Sequence, residues 1–553
     1  MRKRTTLAVL MAVAMALALT GWLGAGGSAQ TRSTRPSRQE LAKRLLETRG
    51  LQLTPPARSF LARVASGGER GVAPEAAAPK ASTGAATTAT GPAVAIAGRG
   101  LRNVRVNDPA RDRRQQDQTT QSETSIAVVG RNVAVGYNDS QNSLLAFTQG
   151  TSLSGYSFSR DGGRTFTDGG PLPNRPGYVN LGDPWLTSDR AGRMYYATLA
   201  ATPNFNLGIS VARSTTGGRR WSDPVQISPG DPPIEFYVGD KPAMTAGRDP
   251  SRPGRDVVYV AWDDFFFGFQ DFLTGLPVAR SSDGGRTWTV AYAARHSLFA
   301  EGCSFTQYLG AQPIVDPANG ILYVAAERFQ VDDPNCQGGE LVTSEVIFKS
   351  TDGGRTFGPV VKIADIAPAG PAETVFGPAI LLGPGKAMRT AEFPVLAFHQ
   401  GALYVAWNEG AGGHSHLRLA RSTDGGASWS VRWLTGGNAD EAQPALSSDR
   451  EGLHVLFYRI APGGPNRLLD VAVLDSRDGA TFRARRVSNR SFPGVLNIQQ
   501  FDPLIAPYYM GDYLANVSDG TRQYFAWGDN RDRVRNWLYP GGRHDPNVYF
   551  ARR

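Results

Sequence analysis

The stretch Ser350-Thr351-Asp352-Gly353-Gly354-Arg355-Thr356-Phe357 decides the fold, because versions of it recur along the chain. The serine hydroxyl and aspartate carboxylate can cap backbone N–H groups of a tight turn, the glycine pair tolerates positive φ, and the closing aromatic starts a new strand. Full copies stand at 159–166, 281–288 and 422–429. The copy at 214–221 has Thr216 in place of the aspartate, and that at 476–482 is one residue short. Six copies of one turn predict a repeat architecture.

The strands predicted around these turns fall into units. Second strands are the clearest, at 133–137, 194–197, 257–262, 321–325, 402–407, 453–457 and 523–527. First strands start near Glu123, Asp183, Asp240, Gln312, Glu392, Gln443 and Asp512. The last unit ends after three strands, through 548–550, while an orphan strand at 101–106 precedes the first. These predict an all-β fold, a seven-bladed β-propeller closed by the N-terminal strand, with about 65 residues per blade. A six-bladed ring is the alternative; it leaves one set of strands unused.

Composition narrows the function. The formal charge of +10 arises before the repeats: residues 1–29 hold three basic and no acidic side chains, residues 30–100 eleven and four, and residues 101–553 hold 45 of each. A neutral folded part argues against nucleic acid as a partner. Arg2, Lys3 and Arg4, an apolar run to about Leu23 and the small residues before Ala29 read as a signal peptide over 1–29. No later stretch is apolar enough for a membrane span in the mature chain, and the protein is expected to be secreted, periplasmic or on the cell surface. Residues 30–100 read as a flexible leader with one short helix at 38–49, and 101–553 as the repeat domain. In an exported chain, Cys303 and Cys336 are expected to form a disulfide.

The turn resembles the Asp box (bacterial neuraminidase, or BNR, repeat) of the sialidase-like β-propeller superfamily, over residues 101–553. The resemblance makes Asp161, Asp283, Asp352, Asp424 and Asp478 structural turn caps on the face opposite the active site. It also implies six blades and a site with three arginines, a Tyr–Glu nucleophile pair and an Asp acid/base. The Arg-Ile-Pro motif it implies near the start is absent; the chain reads Glu123-Thr124-Ser125-Ile126 there.

In a propeller, first-strand entrances and second-strand exits share one face around the channel. Acids crowd that face here, as glycoside hydrolysis requires. Asp512, Asp183, Asp240, Glu392 and Tyr513 are the candidate catalytic residues, and Glu123, Arg389, Arg531, Asp529, Tyr509 and Trp527 the candidate substrate-binding ones. Tyr508 to Tyr513 with Trp527 to Arg531 is expected to form one aromatic and acidic constellation, and the phenylalanines of 263–272 a binding lip. His414 and His416 lack a third metal ligand at readable spacing, so no metal site is assigned; the carboxylate ring could hold Ca²⁺, and no other cofactor is expected. Two functions follow: a secreted, monomeric propeller that binds and hydrolyses glycans, as a sialidase-like glycoside hydrolase, or a non-catalytic exported propeller binding a glycan or cell-surface protein in the cell envelope.

Overall fold

The computed structural model describes residues 43, 80–81, 88–96, 98–112, 119–141, 150–203, 206–228, 236–267, 272–297, 304–335, 337, 339–374, 377–494, 509–537 and 539–553. Cys303, Cys336 and Tyr508 lie outside this set. Residues 78–553 form one compact unit. Its fold is all-β.

Strands follow one another as antiparallel meanders. The first sheet comprises Gln121–Val129, Asn132–Asp139, Ser154–Ser159 and Thr167–Pro171. The second comprises Val179–Ser188, Met194–Ala201, Leu207–Ser214 and Val225–Gln226, and joins the third through the single parallel pair Leu207–Val238. The third runs through Phe236–Arg248, Asp256–Phe267, Phe272–Ser281 and Thr289–Ser297, and the fourth through Phe305–Val315, Leu322–Val331, Leu341–Ser350 and Val361–Asp365. The fifth holds Val395–His399, Ala402–Ala411, His414–Ser422 and Ser430–Trp433, and the sixth holds Asp440–Ser448, Leu453–Ile460, Leu468–Ser476 and Arg483–Arg486. The last sheet has only Ala515–Ser518, Gln523–Val534 and Arg543–Arg552 of its own; Val104–Arg105 supplies its outer strand, with Val104 opposite Phe550 and Arg105 opposite Tyr549.

Inner strands neighbour one another in chain order, and Ala515–Ser518 lies against both Asp440–Ser448 and Gln121–Val129. Apolar faces pack sheet on sheet in the same order. Ile126, Val133 and Tyr137 of the first sheet bury against Tyr524, Ala526 and Phe550 of the last, with Val106 completing the layer. Val257 and Tyr259 of the third meet Leu322, Val324 and Phe348 of the fourth, and Leu456, Tyr458 and Val471 of the sixth meet Phe525 and Trp527 of the last. Each sheet is buried on both faces, which explains why the second strands read as near-continuous apolar runs.

The Ser-x-Asp-Gly-Gly turn joins third strand to fourth and has a second role. In the copy quoted first, Asp352 Oδ1 accepts from Ser350 Oγ (2.8 Å) and from the N–H groups of Arg355 and Thr356 (3.0 Å each). Ser350 Oγ accepts from Gly354 N at 2.8 Å. Gly354, at φ 78°, faces the ring of Tyr259 in the preceding sheet, where a Cβ would come within 2.9 Å of the ring. Gly163 faces Phe550 of the last sheet in the same way. The second glycine is therefore required twice, for its backbone angle and for the aromatic seated on it.

Two features depart from the strand-by-strand expectation. The phenylalanine stretch is not a lip over its described part: Asp263–Phe267 continue the second strand of the third sheet, Phe265 is buried, and Phe266 is half-buried near the Arg295 guanidinium. Strand pairing with both neighbours outcompetes loop formation there. A small additional sheet, Lys80–Ala81, Ala372–Thr374, Gly377–Gly383 and Lys386–Arg389, stands before the fifth sheet and ends at Arg389. Residues before 101 also reach the core: Val94 is buried between the fifth and sixth sheets, its carbonyl accepting from Arg459 Nε at 3.0 Å.

Gly354→Ala is expected to cost about 2–4 kcal/mol through strain and overlap, and Asp352→Ala about 1 kcal/mol as a lost cap. Equilibrium urea unfolding of both variants checks that order.

Candidate functional site

The inner strands carry one repeated irregularity. The ladder to the second strand skips between Ser122 and Ser125, Gly182 and Trp185, Asp240 and Ala243, Leu309 and Gln312, and Ala442 and Ala445. Within these bulges Glu123 (φ 53°), Asp183 (φ 52°), Lys241 (φ 48°) and Gln443 (φ 52°) adopt the left-handed backbone that non-glycine residues seldom take. A bulge breaks the in–out alternation of a strand. It turns these side chains and their N–H groups toward neighbouring inner strands.

Three N–H groups at the bulges are satisfied across sheets. Asn138, at the end of a second strand, accepts from Asp183 N at 2.8 Å; Asp263 accepts from Gly310 N at 2.9 Å; Asn408 accepts from Gln443 N at 3.3 Å. Asp263, one of the second-strand acids, thus caps the next sheet's bulge.

Around the bulges lies a buried network of charges. Lys241 Nζ and Arg389 both bond Asp512 Oδ2, the arginine at 3.2 Å. Glu123 Oε1 accepts from the Tyr509 hydroxyl and from Asp512 N (3.0 Å), and its Oε2 accepts from Asn138 Nδ2 at 2.9 Å. Tyr513 donates to the Pro184 carbonyl at 3.0 Å and its ring lies 5.3 Å from that of Trp185. Asp240 Oδ1 accepts from Lys241 N at 3.1 Å. Lys241, Asp512, Trp185, Tyr513 and Phe393 share the lining of a cavity of about 40 Å³.

Burial dominates the titration of this cluster. It pushes the Glu123 carboxyl up, opposed by Lys241, and pushes Asp183 well above the carboxylate range, reinforced by the charge of Glu123. Asp183 Oδ2 is buried without a hydrogen-bond partner among the described residues. Burial pulls the Lys241 ammonium down, yet Asp512, Asp183 and Glu123 outweigh it and leave its pKa above the ordinary lysine value. The cluster therefore holds two carboxyls, Glu123 and Asp183, that burial makes harder to ionise, beside an Asp512 paired with two cations.

A second group of acids includes the candidate Glu392 and, unread in the sequence, Glu345. Glu327 and Glu345 face each other on adjacent strands of the fourth sheet, both fully buried, and neither oxygen of Glu345 has a hydrogen-bond partner among the described residues. Glu392 is near, accepting from Ala369 N. Burial and the neighbouring acids Glu392 and Glu409 push Glu345 well up, and burial pushes Glu392 to about 7.

Other candidate residues go elsewhere. Trp527, Asp529 and Arg531 lie within the last sheet: Asp529 Oδ2 accepts from Trp527 Nε1 (2.8 Å) and Arg531 (2.5 Å), and Arg531 stacks on Tyr549 and reaches Asn103 at 3.1 Å. That half of the expected constellation ties the N-terminal segment to the last sheet, whereas Tyr509 and Asp512 join the central network. His416 pairs with Glu441 at 2.9 Å. Lys241, the cation at the centre, was overlooked because a lone lysine between aspartate and proline carries no motif. Among the described residues no group of three or more His, Cys, Asp and Glu is arranged to hold a metal ion.

No family model matches the chain, and no curated protein does. Solved structures do show likeness. An α-L-arabinofuranosidase from Fusarium graminearum aligns at 13% identity over 69% of this chain and 100% of its own, with a TM-score of 0.41. A sialidase from Trypanosoma rangeli aligns at 14% identity over 70% of this chain and 59% of its own, with a TM-score of 0.39. A protein of unknown function from Dyadobacter fermentans aligns at 16% identity over 69% and 97%, with a TM-score of 0.39.

Asp512→Asn leaves Lys241 and Arg389 buried without their carboxylate and is expected to destabilise by about 3–5 kcal/mol, measured by chemical denaturation. Glu345 and Glu392 take up protons on folding, so their contribution is fully present below the unfolded value and is lost as pH rises, for Glu392 through about 7. Glu345→Gln should therefore gain stability relative to the unaltered chain near pH 8 and less so near pH 4, read by thermal unfolding at both.

Proposed function

We propose that the chain is an exported, seven-bladed Asp-box propeller of the sialidase-like type, with Val104–Arg105 as the outer strand of its last blade, and that it recognises glycans at the face where first strands begin. The observation that carries this reading is the convergence of Glu123, Asp183 and Asp240 from separate inner strands, and of Asp512 from the turn before another, on one cluster with Lys241, Arg389, Tyr509 and Tyr513. Carboxylates and tyrosine hydroxyls are partners for sugar hydroxyls, and aromatic rings for sugar faces. Export agrees with the basic, apolar N-terminus and with the two cysteines.

Within the cluster Asp183 is the residue we assign as proton donor for glycosidic bond cleavage. A carboxyl that keeps its proton beside an ionised one is the division of labour such hydrolysis uses. A specific observation favours the non-catalytic reading beside it: Asp512 is pinned by two cations, Glu123 by a tyrosine, an asparagine and a backbone N–H, and the cavity beside them is about 40 Å³, far below the size of a pocket for a sugar. In that reading the central acids brace the ring, and the same face binds glycan without cleaving it.

Release of fluorophore from a panel of fluorogenic glycosides, with glycan-array binding in parallel, separates these. Hydrolysis predicts turnover that falls by a factor of about 100 or more in Asp183→Asn, with array binding retained. Array binding without turnover supports recognition alone. Absence of both overturns the proposal.

A further inference from the structure

A third strand in a four-stranded meander ends where the first one ends, so the Ser-x-Asp-Gly-Gly turns stand at the opposite end of the sheets from Glu123, Asp183 and Asp512. At that end, between the sixth and last sheets, lies a cleft of about 490 Å³, far larger than the central cavity and within the range of small-ligand pockets. Its lining is polar: Arg477 from the turn, Arg483 and Arg485 from the outer strand of the sixth sheet and Arg553 from the last stand there with four carboxylates, Asp449, Glu451, Asp475 and Asp478.

Strand geometry gives the arginines their direction. Along Arg483–Arg486 exposure alternates, so Arg483 and Arg485 share the solvent side about 7 Å apart, while Arg486 turns inward to Asp470. The acids of the cleft are largely occupied. Asp475 alone serves Arg553 (2.7 Å to Oδ2), His454 Nδ1 (2.8 Å) and Arg485 Nε (3.4 Å). Asp449 accepts from His454 Nε2 (3.0 Å) and from backbone N–H groups of its own turn. Asp478 Oδ1 is taken up by Ser476, Ala480 N and Thr481 N. Asp475 is thus shared between Arg553 and Arg485, and the exposed guanidinium forks of Arg483 and Arg485, with Arg477 and the Glu451 carboxylate beside them, are the groups a ligand meets.

We propose that this cleft is a second ligand site, independent of the central face, for a small ligand carrying a tetrahedral oxyanion, sulfate or phosphate. Arginine forks match the paired oxygens of such a group, and a dianion offsets two like charges that an uncharged sugar would leave unrelieved. The oxyanion reaches the site either free or esterified to a sugar, and the test distinguishes these.

Isothermal titration of the full chain with inorganic sulfate, inorganic phosphate, N-acetylglucosamine 6-sulfate and unsulfated N-acetylglucosamine is the experiment. Saturable binding of the anions, weakened roughly tenfold or more in Arg483→Gln/Arg485→Gln and by added salt, with no binding of the neutral sugar, is expected. Lys362→Gln, an exposed cation of the fourth sheet, should bind as the unaltered chain does. Tighter binding of the sulfated sugar than of sulfate identifies an esterified ligand; equal binding identifies the free oxyanion. Arg477→Gln and an unchanged melting temperature in the double variant guard against loss of fold. Binding by the double variant equal to that of the unaltered chain, or no saturable binding of any anion, overturns the proposal.

Discussion

An aromatic ring lying on the bare Cα of a turn glycine is the contact on which the arrangement of sheets depends. Tyr195 meets Gly285, Tyr259 meets Gly354, and Phe550 meets Gly163. Each pair joins a second or third strand of one sheet to the turn of another. The turn thus sets the spacing between sheets as well as the reversal within one. Its serine and aspartate hold the glycine in place by bonding backbone N–H groups, and the ring then excludes any side chain there. One short peptide couples local geometry to the packing of neighbours, which is why it recurs while the residues around it vary.

At the other end of the strands the constraint is electrostatic. Bulged inner strands, and the turn at Gly511, bring Glu123, Asp183, Lys241 and Asp512 together where all four are buried. Ion pairs and hydrogen bonds then replace water. Lys241 and Arg389 together neutralise Asp512, and Arg389 arrives on a small sheet that interrupts the repeat. Such a network costs desolvation and returns specificity, because a strand slipped by one residue would strand a charge. The upward push on the Asp183 carboxyl, from burial and from the charge of Glu123, is a by-product of this crowding.

The two ends therefore differ in kind. The central cluster is buried, whereas the cleft between the sixth and last sheets is open and lined by exposed arginines and carboxylates together.

Much of the fold was legible in the chain itself. The turns at 159–166, 281–288, 350–357 and 422–429 carried their own mechanism, since Ser, Asp and Gly act on backbone atoms within a few residues; the second strands were legible because burial on both faces demands unbroken apolar runs. The pairing of Val104 with Phe550 followed from a missing strand at one terminus and a spare one at the other. The central acids were named, yet their partners were not: Lys241 stands 271 positions from Asp512, and Tyr509 stands 386 from Glu123, separations that no local pattern encodes. Glu345 looked like an ordinary strand residue until its sheet placed it across from Glu327. Local hydrogen bonding and periodicity were determined by sequence alone; which charges meet, and which proton is kept, was decided only when distant strands came within a few ångströms, because Coulomb energy and desolvation depend on distance in space and not along the chain.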